Sequence, residues 1–120
     1  MGGIAESTKV EDKVLIDNEE EKVIETHVPL GVVAGIVPWN FPLLMAALKI
    51  AEAIMTGNTI VIKTSPYTPL TTSLWGELIA EVVPEGVVNI LSGGNDVGRW
   101  LVENPGVDKV SGLILSRDFI

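Results

Sequence analysis

The sequence predicts an α/β fold, in which part of a doubly wound parallel sheet follows an N-terminal β-hairpin. Short apolar runs alternate with segments of helical periodicity, and the connections between them are short. Strands and helices that alternate in this way form βαβ units, whose strands are parallel. At 120 residues the chain has the length of one domain, so we expect a single sheet and one core.

An acidic turn near the N-terminus separates two short stretches of alternating character. The stretches reach from Lys9 to Ile16 and from Lys22 to Val28, and the run between them is Asp17-Asn18-Glu19-Glu20-Glu21. The pattern predicts a β-hairpin whose acidic turn is solvated. A lone two-stranded hairpin is marginally stable in water, so we expect it to pack on the core or on a partner chain.

The segment after the hairpin predicts a buried strand–helix–strand unit. Val32–Val37 is apolar on both faces, as in a central parallel strand. Pro42 suits a first helical turn, and the residues from Leu43 to Met55 are apolar around most of the helix, which predicts a largely buried helix. Gly57 ends this helix, and Asn58–Ile62 is predicted as a second buried strand.

The remaining elements repeat the alternation of helix and strand. We expect Thr71 or Thr72 to cap the next helix, and Trp75 and Trp100 to be packing residues. The last strand is expected at an exposed edge, extended by residues 112–115. The predicted elements are a helix through Leu74–Val82, a strand at Val87–Leu91, a short helix at Asp96–Glu103 and a strand at Val107–Ser111.

Composition excludes several classes of function. The net charge of −8 argues against nucleic acid or an anionic membrane as a partner. The apolar run Phe41–Met55 contains Lys49 and Glu52 and is too short to span a bilayer, and the N-terminus does not resemble a signal peptide. A sequence without cysteine has a reducing cytoplasm as its default compartment, so we expect a cytoplasmic protein. Without cysteine and with one histidine, these residues contain no disulfide, thiolate nucleophile or cysteine- or histidine-based metal cluster.

Ligand-binding groups are expected where the predicted parallel strands end. Ligands of open α/β sheets bind beyond the carboxyl ends of the strands, and helix N-termini there favour phosphate. Three such ends are Pro38–Asn40, Lys63–Pro66 and Ser92–Gly94. Lys63 suits a ribose hydroxyl or a phosphate, although a lysine in this position also serves simply to solvate a loop. No Gly-x-Gly-x-x-Gly fingerprint is present, and a plain strand-to-helix turn explains Ser92-Gly93-Gly94 more simply.

Several spaced motifs together resemble the aldehyde dehydrogenase superfamily, over about residues 9–111. They occur in the order that the family shows, and the family fold is a Rossmann-like, dinucleotide-binding parallel sheet. The matching segments are Pro29-Leu30-Gly31-Val32-Val33, Ile36-Val37-Pro38-Trp39-Asn40-Phe41-Pro42, Gly57-Asn58-Thr59 with Val61 and Lys63, Thr68-Pro69-Leu70, Pro84-x-Gly86-Val87-Val88-Asn89 and Val107-Asp108-Lys109-Val110-Ser111.

The resemblance implies roles for individual residues. Asn40 matches the asparagine whose amide holds the oxyanion of the thiohemiacetal, although a turn residue before a helix is the alternative. Lys63 matches the lysine that binds the adenosine ribose. Many members have glutamate where Pro66 stands, so the resemblance leaves NAD or NADP open as the cofactor. The expected cofactor-binding residues are Ile36, Val37, Pro38, Trp39, Lys63, Ser65, Pro66 and Gly93.

The resemblance also implies an organisation and an activity. We expect a disordered N-terminus at 1–8, an oligomerisation-type hairpin at 9–28, a partial dinucleotide-binding domain at 29–111 and a divergent tail at 112–120. The family continues with Phe-Thr-Gly-Ser where this chain has Gly112-Leu113-Ile114-Leu115, which is interpreted as a truncated or frameshifted reading frame or as an engineered end.

Three functional hypotheses follow from this organisation. The first is a fragment of an enzyme that oxidises aldehydes to carboxylic acids, inactive alone because the family's nucleophilic cysteine and general-base glutamate have no match here. The alternatives are a non-enzymatic nucleotide-binding or subunit-interaction module, and one half of a split enzyme. In each case we expect self-association through the hairpin or an exposed sheet edge.

Overall fold

A computed structural model describes residues 11–112, so the expectations for residues 1–8 and 113–120 lie outside the described residues. Strands and helices alternate as predicted, with most boundaries within two residues of the expected ones. The elements are β1 Lys13–Asp17, β2 Lys22–Glu25, β3 Val32–Ile36, α1 Pro42–Met55, β4 Thr59–Lys63, α2 Leu70–Ala80, β5 Val88–Leu91, α3 Asn95–Glu103 and β6 Lys109–Gly112.

The main sheet has four parallel strands in the order β5-β4-β3-β6. The chain moves outward from β3 to β5 and then returns to place β6 on the other side of β3. This reversal makes the sheet doubly wound, which confirms the predicted fold class. The prediction that the last strand lies at an edge is also confirmed, because β6 pairs with β3 alone among the described strands.

The core lies between α1 and the strands β3 and β4. Ile60 and Ile62 are fully buried, and Ala46, Ile50 and Ala53 of α1 face them. Leu44 and Leu48 on the same helix are exposed by 56% and 41%, respectively. The prediction that α1 is largely buried is therefore wrong for the described chain, because nothing within residues 11–112 covers its outer face.

Side-chain hydrogen bonds align three strands at the amino end of the sheet. Asn58 Oδ1 accepts from Gly31 N–H at 2.9 Å, and Asp108 Oδ2 accepts from Val32 N–H at 2.8 Å. Gly31 has φ +122°, and a Cβ there would lie within 2.3 Å of Asp108 Oδ2. This position therefore requires glycine. Because register is set at this end, it also decides which residues arrive at the carboxyl ends of β3, β4 and β6.

The hairpin of β1 and β2 is present, and a side chain defines its turn. Asn18 Oδ1 accepts from the N–H groups of Glu20 and Glu21, each at 2.9 Å, and an irregularity between Val14 and Ile16 shifts the register. Every residue from 11 to 31 is exposed. The expectation that the hairpin packs on the core is therefore wrong, and packing on a partner chain stays a prediction.

Two details of the helices differ from the expectations. Pro69 is the N-cap of α2 and no side chain caps that helix, so the prediction that Thr71 or Thr72 caps it is wrong. Trp75 packs against the core as predicted, whereas Trp100 is 62% exposed on α3 and is not a packing residue in this chain. Among residues 11–112, no helix combines the length and the apolar content needed to cross a membrane.

Candidate functional site

The candidate site lies at the carboxyl edge of the parallel sheet, where backbone hydrogen bonds join the strand ends. Val37 N–H donates to the Lys63 carbonyl at 3.0 Å, and Thr64 N–H donates to the Leu91 carbonyl at 2.9 Å. Ile36 pairs with Gly112 on the other side. The turn at Pro38–Asn40, the loop at Lys63–Pro66 and the turn after β5 therefore lie side by side.

The turn after β3 holds Asn40 between a buried segment and a helix start. Val37 and Pro38 are buried, whereas Trp39 is 63% exposed. Phe41 adopts the left-handed conformation, with φ 52° and ψ 49°, which is strained for an aromatic residue. Phe41 is the N-cap of α1, which starts at Pro42, and its carbonyl accepts from Met45 N–H at 3.0 Å. The position of Asn40 is therefore set by backbone geometry on both sides.

The side chain of Asn40 has an unsatisfied hydrogen-bonding group. Its Oδ1 is buried and has no hydrogen-bond partner among residues 11–112. A buried acceptor without a donor costs about 1–3 kcal/mol, so native proteins usually pair such atoms or use them. The amide is therefore placed to interact with a group that the described chain does not supply.

Lys63 is buried at the end of β4 with an exposed fraction of only 4%. Within residues 11–112 an ion pair joins Lys22 to Asp17, His27 Nε2 lies 3.8 Å from Glu25 Oε1, and neither contact includes Lys63. Burial lowers the pKa of Lys63, and the negative charge of Asp96 opposes this shift. The alternative that Lys63 merely solvates its loop is wrong, because the side chain is withdrawn from water.

The loop that follows Lys63 in the sequence contains several buried hydroxyl groups. Thr64 is fully buried, and its Oγ1 lies 3.4 Å from both the Leu91 carbonyl and Ser92 Oγ. Ser65 is 5% exposed, and its Oγ accepts from Tyr67 N–H at 3.3 Å. Thr68 Oγ1 is buried without a partner among the described residues. Pro66, in contrast, is exposed and has no polar side-chain atom.

Gly93 lies in the turn between β5 and α3. A Cβ at this position would approach Val97 Cγ2 to 2.4 Å, so close packing on α3 is enough to require glycine here. Gly94 is the N-cap of α3, and no side chain caps the helix. Its free N–H groups favour an anion, while Asp96 in the first turn already supplies negative charge. A cofactor contact at Gly93 stays a prediction.

Sequence reasoning missed a polar link beneath the site. Lys49 Nζ donates to Ser111 Oγ at 2.8 Å and thereby ties α1 to β6. Burial lowers the pKa of Lys49, Glu52 opposes the shift and Lys109 adds to it. The sequence does contain a signal for this contact, because Lys49 stands within an otherwise apolar helix. In the sequence analysis that lysine serves only as an argument against a membrane span.

The residues at this edge suit a ligand that carries phosphate and ribose. A buried ammonium, several hydroxyl groups and an unsatisfied amide offer donors and acceptors that have few partners among residues 11–112. The carboxyl end of a parallel sheet is also where dinucleotides bind in folds of this class. The chemistry of this edge therefore fits a dinucleotide, and the chain has the architecture of a dinucleotide-binding α/β domain.

Comparison with known proteins identifies the particular family. The chain belongs to the aldehyde dehydrogenase family, whose sequence profile matches residues 3–112. The long-chain-aldehyde dehydrogenase of Acinetobacter sp. is 46% identical over 95 residues, which cover 78% of this chain and 19% of that protein. Aldehyde dehydrogenase LUC3 of Fusarium sp. is 46% identical over 96 residues, with 80% and 20% covered.

Solved structures give the same assignment. PnpE, a protein from Pseudomonas sp. WBC-3, was solved in complex with nicotinamide adenine dinucleotide; it is 41% identical, with a TM-score of 0.84 over 92% of this chain and 23% of PnpE. The NAD⁺ complex of an aldehyde dehydrogenase from Bacillus cereus gives a TM-score of 0.83 at 36% identity, with 88% and 22% covered.

The chain spans about a fifth of the length of the curated relatives that it matches. The 120 residues therefore correspond to one segment of an aldehyde dehydrogenase. The family's catalytic cysteine and glutamate lie outside the matched region. The comparisons give no added support to the alternative of a non-enzymatic module.

Proposed function

We propose that this chain contributes part of the NAD(P) site of an aldehyde dehydrogenase, together with one hydrogen-bond donor for its reaction centre. The observation that carries this proposal is the hydrogen bond from Val37 N–H to the Lys63 carbonyl, 3.0 Å long. It sets the turn with Asn40 beside the loop with Lys63, so groups suited to an aldehyde oxygen and to a ribose lie at one edge.

The proposed cofactor contacts follow this edge. Lys63 and Ser65 donate hydrogen bonds to the adenosine ribose, the segment Ile36–Trp39 forms a wall of the cleft, and Pro66 and Gly93 border it. A bound dinucleotide supplies the hydride acceptor for aldehyde oxidation. The remaining contribution of the chain is to bind and orient that group.

Asn40 is proposed as the oxyanion donor. Its amide N–H₂ donates to the oxygen of the aldehyde as a thiolate adds to the carbonyl carbon and negative charge develops there. A donor of this kind lowers the barrier by about 3 kcal/mol. Because the sequence contains no cysteine, the thiolate must come from outside these 120 residues. A cytoplasmic location and association with further copies stay predictions.

Isothermal titration calorimetry of the chain with NAD⁺ and NADP⁺ tests the proposed site. We expect micromolar binding of at least one cofactor and a loss of about tenfold or more in Lys63→Met, or roughly 1.4 kcal/mol. Lys109→Met is the matched control, because Lys109 is exposed near the start of β6. Asn40→Ala should leave cofactor binding unchanged. Silence with both cofactors, or equal losses in both lysine variants, would contradict the proposal.

A further inference from the structure

We infer that the outer face of α2 binds an amphipathic helix of a partner protein, and that this helix carries lysine or arginine beside its apolar side chains. The inference goes beyond the proposed function, because none of the residues assigned to the cofactor or to the reaction centre lies on α2. It starts from a row of leucines that residues 11–112 leave exposed.

The inner face of α2 determines which side chains point outward. Thr72 is fully buried, and Trp75 and Ile79 pack against the core. Gly76 lies so close to β5 that a Cβ at this position would approach Ile90 Cδ1 to 2.6 Å. Because such close packing prevents the helix from turning about its axis, the opposite face of α2 stays outward.

The outward face of α2 carries leucines at a spacing of four residues. Leu70, Leu74 and Leu78 are exposed by 69%, 53% and 63%, respectively. Side chains four residues apart are neighbours on a helix and form a ridge, which packs into the groove on the surface of a second helix. Amphipathic helices also bind through anchors of this spacing. A helix is therefore the occupant whose shape fits this leucine ridge.

The charges beside the leucine ridge define the chemistry of the occupant. Glu77 and Glu81 are exposed, and at helical periodicity they form the adjacent row along one flank of the leucines. The sequence has no Lys or Arg between Lys63 and Arg99, so no cation in this stretch offsets the two carboxylates. An apolar ridge beside carboxylates is complementary to a helix whose apolar face is flanked by lysine or arginine.

The same charges argue against two other occupants of the ridge. If α2 packed on α2 of a second copy, Glu77 and Glu81 of both copies would approach one another, and like charges at an interface are costly. An anionic lipid surface would be repelled for the same reason, since such surfaces attract basic segments. A basic helix is the occupant that satisfies both the shape and the charge of this face.

Fluorescence anisotropy with labelled peptides and the 120-residue chain tests the inference. The probe is a helical peptide of about four turns, with leucine along one face and lysine on both flanks. One control peptide has the same composition in scrambled order, and the other has glutamate in place of lysine. We expect micromolar binding of the probe and at least about tenfold weaker binding of both controls. Silence with the probe, or equal binding of either control, would overturn the inference.

Leucine substitutions locate the binding on α2. Leu74→Gln combined with Leu78→Gln should weaken binding of the probe by about tenfold or more. Leu44→Gln combined with Leu48→Gln is the matched control, because these are exposed leucines at the same spacing on α1. Equal losses would mean that the peptide binds apolar surface in general. Sedimentation of the same variants covers the second copy: if only the α2 variant turns an oligomer into a monomer, the occupant is another copy and the inference is wrong.

Charge substitutions test the complementarity separately and remove no apolar contact. Glu77→Gln combined with Glu81→Gln should weaken binding of the probe and reduce its dependence on salt. The matched control is Glu19→Gln combined with Glu20→Gln, which removes the same charge from the exposed turn of the hairpin. If both pairs have the same effect, net charge is responsible and the assignment of a basic partner to α2 fails.

Discussion

Two asparagines of this chain have opposite hydrogen-bonding environments. Asn58 is 7% exposed and fully used: its Oδ1 accepts from Gly31 N–H and its Nδ2 donates to Thr56 Oγ1 at 2.7 Å. Asn40 Oδ1, in contrast, is buried without a partner among residues 11–112. The amide of Asn58 stabilises the fold, whereas the buried and unpaired amide oxygen of Asn40 lowers the free energy of unfolding.

This contrast predicts opposite effects on stability for the same substitution. Asn58→Leu should lower the free energy of unfolding by about 2 kcal/mol, because it removes the acceptor of the Gly31 N–H and the donor to Thr56 Oγ1. Asn40→Leu should leave it unchanged or raise it by up to about 1 kcal/mol, because it removes an unsatisfied acceptor. Urea denaturation followed by tryptophan fluorescence measures both. A large loss in Asn40→Leu would show that the amide is structural.

Single residues were the least predictable part of the site. Position after a strand was enough to single out Lys63, but a lysine is usually exposed, so its burial could not be expected from the sequence. The left-handed conformation of Phe41 was also hidden, because bulky residues rarely adopt it. Both features depend on tertiary contacts that local patterns do not encode.

At the scale of elements, β6 is held to the sheet by a side chain as well as by its ladder. Asp108 precedes β6 and accepts from Val32 N–H through Oδ2, while its own N–H donates to the Val32 carbonyl at 2.9 Å. On the far side, Lys49 of α1 reaches Ser111 of β6. The edge strand is therefore fixed at both ends by polar contacts.

We predict that Asp108→Ala destabilises the chain by about 1–2 kcal/mol, since a charge-assisted hydrogen bond to the backbone is lost. Asp12→Ala is the control, because it removes the same charge from an exposed position before β1. Urea denaturation gives the free energies, and amide hydrogen exchange should show faster exchange in β6. Equal effects in the two variants would mean that net charge, rather than the link to Val32, is responsible.

The alternation of strands and helices was predictable because apolar runs and turn residues encode it locally. The segment Val32–Val37 is apolar on both faces, which predicted a central strand, and Gly57 predicted the end of α1. The burial of α1 was not predictable in the same way. Apolar residues lie all around this helix, which predicts that every face packs against another surface. Within residues 11–112, however, Leu44 and Leu48 stay exposed, because no described residue packs against them.

At the scale of the whole molecule, the described chain exposes apolar surface in several places. The edge strands β5 and β6 each have one unpaired side, and the hairpin exposes apolar side chains on both of its strands. Such edges and patches promote association. The apolar residues of the hairpin that are exposed include Val14, Leu15, Ile16, Val23 and Ile24.

Sedimentation should therefore detect species heavier than the 12.8 kDa chain. Ile24→Lys disrupts association through the hairpin, and Val110→Lys disrupts association through the edge strand β6. The variant that restores the monomer identifies the surface used. Val82→Lys, just after α2 at an 82% exposed position, is the control. A wild-type chain that remains monomeric at all concentrations would refute the predicted self-association.

The strand order also has a consequence for how the chain folds. The contact between Gly31 and Asn58 closes a loop of 27 residues, whereas that between Val32 and Asp108 spans 76. The longer closure costs roughly 0.9 kcal/mol more in chain entropy, and contacts between distant residues form slowly. The unit from β3 to β4 thus forms early and β6 docks late. During synthesis on the ribosome, the turn that contains Asn40 and the loop that starts at Lys63 would therefore be joined by the Val37–Lys63 hydrogen bond before β6 has emerged.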